Sequence, residues 1–106
     1  MNVIRLYKEE YIFDIYYDID LGNTHVADHG VTDLEIYEFF SLEKYLAIKR
    51  KDGSFEAVGM TSNRSLKVIF RNQKMTKKQK HFFVITAWEY KLSKDETDAI
   101  RTREEL

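Results

Sequence analysis

The chain has 106 residues, 43% of them hydrophobic and 14% aromatic, which suits a single domain with one core and argues against disorder. It contains no cysteine, so disulfide scaffolds, thiolate metal sites and cysteine nucleophiles are excluded. The net charge of −1 conceals a segregation: residues 1–43 carry two bases and ten acids, residues 44–88 eleven bases and two acids, and residues 89–106 four bases and six acids.

Met1 to Tyr17 mixes Arg5, Lys8, Glu9, Glu10 and Asp14 with its apolar residues, so it reads as neither signal peptide nor membrane span, and the expected location is the cytoplasm. No repeat, proline or linker-like stretch divides the chain, which is expected to be one domain over 1–106. Tyr11 to Tyr17, aromatic and β-branched, predicts a first strand. Asp18 or Asp20 is expected to cap a short helix that ends at His29, with Gly30 as the left-handed residue that closes it.

Thr32 and Glu35 have the spacing of a capping box, so a second helix is predicted from Asp33 to about Leu42. Ile36, Phe39 and Phe40 would face the core and Asp33, Glu35 and Glu38 the solvent. Tyr45 to Arg50 and Phe55 to Met60 are expected to form a hairpin across Asp52-Gly53. Leu66, Val68 and Phe70 alternate with Lys67, Ile69 and Arg71 in a third strand, a basic loop follows from Asn72 to Lys80, and His81 to Trp88 reads as a central strand. Ser93 and Glu96 repeat the capping spacing before a last helix running toward Arg103. The class is α+β: an N-terminal strand and two helices packed on an antiparallel sheet, with a C-terminal helix.

The main functional signal is the absence of any acid between Glu56 and Glu89, a stretch holding Arg64, Lys67, Arg71, Lys74, Lys77, Lys78 and Lys80. Such a surface neutralises phosphates, and Phe82 or Trp88 could stack on unpaired bases; a solvated face over core aromatics is the plain alternative. His25 and His29 are four apart, as two metal ligands on a helix can be, but no third ligand is evident and no metal is expected. No phosphate-binding glycine loop or nucleophile elbow occurs, which leaves chemistry that needs no cofactor. RNA cleavage by an internal 2′-hydroxyl is one such reaction: a base takes a proton and cations stabilise the phosphorane.

Several landmarks occur in order: Asn23-Thr24-His25, His29-Gly30-Val31-Thr32, Phe55-x-x-Val58-Gly59-Met60-Thr61, Asn63-Arg64-Ser65-Leu66-Lys67-Val68 and Val84-Ile85-Thr86-Ala87. Over roughly residues 11 to 100 this series resembles the small BrnT-like toxins of the RelE superfamily. The resemblance implies the toxin of a type II toxin–antitoxin pair, a metal-independent ribonuclease neutralised by a cognate antitoxin with which it would form a hetero-oligomer. It implies Arg64 as the transition-state cation, with Arg50 and Lys51 in proton transfer or phosphate positioning. Lys49, Lys67, Arg71 and Trp88 would then contact RNA. Trp88 stands where the family commonly has arginine, and Asn63 where glycine is usual. The second reading is therefore a non-catalytic interaction protein whose basic sheet face binds an acidic partner or RNA. DNA binding ranks behind both, because no helix carries a basic recognition face.

Overall fold

A computed structural model describes the backbone of residues 2–105 and the side chains of residues 2–102. Val3–Lys8 forms β1 and Tyr11–Asp18 forms β2, paired antiparallel so that Arg5 lies opposite Asp14. The intervening turn holds Glu9 at φ 54°, a conformation that disfavours side chains, and the Tyr37 hydroxyl donates to its carboxylate at 2.9 Å. β1 precedes the first expected strand; it is an edge strand with mostly exposed side chains, so it lacks the buried pattern that marks β2.

The helix expected from Asp18 or Asp20 is replaced by a turn and a single helical turn. Asp18 Oδ1 accepts from the N–H groups of Asp20 and Leu21, at 2.9 and 3.3 Å, and Gly22 follows at φ 69°. A carboxylate that captures backbone donors in this way offers the chain an alternative to helix. Asn23–Thr24, β3, pairs back on β2, and Thr24 caps the four-residue α1, His25–Asp28. Gly30, at φ 77°, closes it as anticipated.

The second helix, α2, spans Asp33–Leu42 with its capping box formed in both directions between Thr32 and Glu35. Ile36, Phe39 and Phe40 are buried beneath it. Glu35, expected in solvent, is instead only 7% exposed, and Glu38 is half-buried, accepting from the Ser62 N–H and hydroxyl.

β4 (Tyr45–Lys49) and β5 (Phe55–Met60) form the expected hairpin, with Gly53 at φ 88° in the turn and Asp52 Oδ1 accepting from the Ser54 N–H. β6 runs from Ser65 to Met75 and β7 from Lys80 to Glu89. Most of the expected basic loop is therefore strand, and only Thr76–Gln79 turns. The main sheet has the order β1-β2-β7-β6-β5-β4. β2 and β7 pair in parallel, with Phe13 beside Phe82, so the sheet is mixed where an antiparallel one was expected. That long-range pairing sets the apolar β2 beside the apolar β7, and burial of both under α2 rewards it.

Tyr11, Phe13, Leu66, Val68, Phe70, Phe82 and Val84 meet the helix side chains in one core, in which Phe40 stacks on Phe82 with centroids 4.2 Å apart. The last helix, α3 (Lys94–Glu105), starts at the Ser93–Glu96 capping pair, rests against β4 and buries Ile100. Among the described residues no helix is long and apolar enough to cross a membrane.

Candidate nucleic-acid interface

The hairpin geometry divides the cations between two ends of the sheet. Arg64 lies in the β5–β6 turn, whereas Arg50 and Lys51 lie in the β4–β5 turn; β5, six residues long, separates them by roughly 20 Å at ~3.3 Å per residue. The three residues nominated for catalysis are therefore not gathered at one place.

Arg64 is held on all sides. Its Nε donates to Glu35 Oε2 at 2.7 Å, one terminal nitrogen to Glu35 Oε1 at 2.9 Å and to the Gly30 carbonyl at 2.8 Å, and the other to Glu89 Oε2 at 3.3 Å. Four of the five guanidinium N–H bonds are thus committed, and the side chain is 23% exposed. The bidentate pair with Arg64 is the main reason that the Glu35 carboxyl is held below its ordinary range, against the opposing effect of burial. In this arrangement Arg64 joins the start of α2 to β6 and β7. One N–H bond remains for anything else.

The other end of the sheet is open and cationic. Lys49 ends β4, Arg50 and Lys51 occupy the next turn, Arg71 and Lys74 lie on β6, Lys77 and Lys78 in the Thr76–Gln79 turn, and Lys80 opens β7. The turn is ordered from within: Thr76 Oγ1 accepts from the Lys78 and Gln79 N–H groups, and the Thr76 N–H donates to the Gln79 carbonyl at 2.8 Å. Arg71 donates to the Asp52 carbonyl at 3.0 Å, and Lys80 lies 3.6 Å from Glu43. Lys49, Lys51, Lys74, Lys77 and Lys78 make no ion pair among the described residues, and all five are exposed. Glu9 and Glu10, in the neighbouring β1–β2 turn, border this end.

Of the residues nominated for RNA contact, Lys49 and Arg71 belong to this end. Lys67 and Trp88 do not. They are cross-strand partners farther along β6 and β7, with Lys67 Nζ 4.3 Å from the Tyr90 ring centroid, 6.0 Å from that of Trp88 and 3.7 Å from Glu56. Trp88 is half-buried and also meets the His29 ring at 6.2 Å. His25 turns instead to Asp18, at 3.0 Å, so the two histidines do not converge.

One constellation went unnoticed in the sequence. Asp14, 5% exposed, accepts two hydrogen bonds from Arg5, at 2.6 and 3.0 Å, and lies 2.7 Å from His81 Nε2. Arg5 chiefly, and then His81, hold its carboxyl below the usual range despite burial. A neutral His81 must carry its proton on Nε2 to donate to Asp14, which makes Nδ1 a proton acceptor at the foot of the cationic β6–β7 hairpin. An acid in the middle of YIFDIYY was the available signal, because a carboxylate inside an apolar strand needs a cationic partner. No family model, curated protein or solved structure matches the chain.

Proposed function

We propose that this protein binds RNA through the cationic end of its sheet. The observation that supports this is the concentration there of Lys49, Arg50, Lys51, Arg71, Lys74, Lys77 and Lys78 around Asp52, with Glu9, Glu10 and Glu43 at the border beside Lys80. Among the described residues five of these cations, Lys49, Lys51, Lys74, Lys77 and Lys78, make no ion pair, and the group as a whole is carried by two turns and the ends of β4 and β6. Each phosphate neutralised on a single strand adds about −0.7 to the slope of log affinity against log salt. Reversing Lys74, Lys77 and Lys78 to glutamate is expected to flatten that slope by about two and to weaken binding more than tenfold in fluorescence anisotropy. Unchanged affinity and slope would remove the reading. A cysteine-free protein acting on RNA fits the reducing cytoplasm.

A second reading, the metal-independent ribonuclease toxin, is favoured by His81 held by Asp14 beside the same hairpin and by the resemblance to BrnT-like toxins. In it His81 takes the 2′-hydroxyl proton, Arg50 and Lys51 position phosphate, Arg64 serves the fold, and an acidic antitoxin covers the cationic end. Purified protein would then cut an RNA pool in the presence of a chelator, and His81→Gln would not. If both proteins leave the RNA intact, with and without ribosomes, the protein is a binder only.

A further inference from the structure

A cavity of about 350 Å³ opens at the foot of the β6–β7 hairpin, on the side of the sheet that carries α2. The buried rings of Tyr11, Phe40 and Phe82 form its floor, Tyr45 and the 44%-exposed Met75 its walls, and Asn72, Lys80 and Glu43 its rim. Its volume lies at the lower end of the range for small-molecule sites and is enough for one flat heterocycle.

The polar groups narrow the occupant further. Lys80 is held at the rim by Glu43, 3.6 Å away, and its Nζ also lies over the Tyr11 ring, 5.6 Å from the centroid, so one cation and one anion sit together at the mouth and offset each other. The Glu43 carboxylate disfavours a phosphate or an acidic side chain inside but accepts from an N–H donor. Asn72 offers both a donor and an acceptor. The occupant that satisfies an aromatic floor, a flexible thioether wall and this mixed rim is neutral, flat and edged with N–H and C=O groups. Lys74, Lys77 and Lys78 continue along the same hairpin, so the groups flanking it are anionic.

We propose that this pocket takes one unpaired nucleobase of single-stranded RNA, while the flanking phosphates lie on the hairpin lysines. The proposal rests on the RNA-binding reading and adds to it a requirement for an unstacked base. It also makes the protein a discriminator of single strands from duplexes, a distinction that lysines alone would not draw.

The test is fluorescence anisotropy on the full chain with a short labelled RNA strand, competed by its own duplex, by the same strand made abasic, and by inorganic polyphosphate, which carries the charge without bases. The single strand is expected to bind on the order of tenfold more tightly than the other three. Met75→Ala and Asn72→Ala, both at exposed positions that the core does not need, are expected to remove that advantage. Equal binding of all four probes, or an advantage that persists in both variants, overturns the pocket and leaves the RNA-binding reading standing. Failure of every probe to bind overturns both.

Discussion

Replacing Arg64 by alanine withdraws a guanidinium that satisfies Glu35, the Gly30 carbonyl and Glu89 together. The carboxylate of Glu35, a residue 7% exposed, would retain only the hydrogen bonds it accepts from the Thr32 N–H and hydroxyl. Removing one partner of a buried ion pair typically costs about 3–5 kcal/mol, and the partial exposure of the Arg64 side chain places this pair near 3 kcal/mol. For a domain of this size each kcal/mol moves the melting temperature by about 4–8 °C, so Arg64→Ala should melt roughly 12–24 °C lower. Circular dichroism melts and urea titrations of the wild type, Arg64→Ala, Glu35→Ala and the double variant give the coupling energy directly, and the double variant should be more stable than the two separate losses predict. A melting temperature for Arg64→Ala within about 2 °C of the wild type would refute the reasoning. Arg64 would then be available for chemistry, as the resemblance to ribonuclease toxins implies.

Asp14 and Glu35 have folded-state carboxyls depressed below their ordinary values of 3.8 and 4.5, so the stability they supply is present above that range and is lost as the pH falls through their folded values. Acid titration of stability should therefore decline below about pH 5, and Arg5→Ala or Arg64→Ala should flatten the decline. Phe40→Ala, which empties the centre of the aromatic stack with Phe13, Phe70 and Phe82, should cost about 3–5 kcal/mol in a urea titration. A Cβ at Gly59 would lie 2.5 Å from both the Lys44 carbonyl oxygen and Tyr45 Cβ, so Gly59→Ala should separate β4 from β5 and lower the melting temperature more than alanine at an exposed strand position such as Ile48.

Local chemistry was legible wherever the partners lie within a few residues. Thr32 with Glu35, Ser93 with Glu96, and Asp52-Gly53 each bond or turn within their own segment, so the helix starts and the hairpin could be read directly. The α+β class followed from those elements. What escaped depends on distant partners. Glu35 has a solvent-facing helical position by periodicity, but Arg64, 29 residues later, draws it inward. That same partnership turned the most attractive cationic candidate into a clamp. β1 was missed because an edge strand need not show an apolar face, and the parallel β2–β7 pairing leaves no local mark because its partners are 69 residues apart. The basic run was legible as charge, although its shape as an extended hairpin was not.

That hairpin has a second consequence. β5 pairs with β6 only as far as Phe70, so the segment of β6 from Arg71 to Met75 lies beside β7 on one side and, among the described residues, has no strand neighbour on the other. Such an uncovered edge is a template for pairing between copies, and lysine is a common means by which proteins keep copies apart. Lys74 and its neighbours would then keep the protein monodisperse in addition to the RNA contact proposed for them. Neutral replacements there should promote self-association, visible by light scattering, whereas glutamate should preserve solubility while weakening the proposed RNA binding.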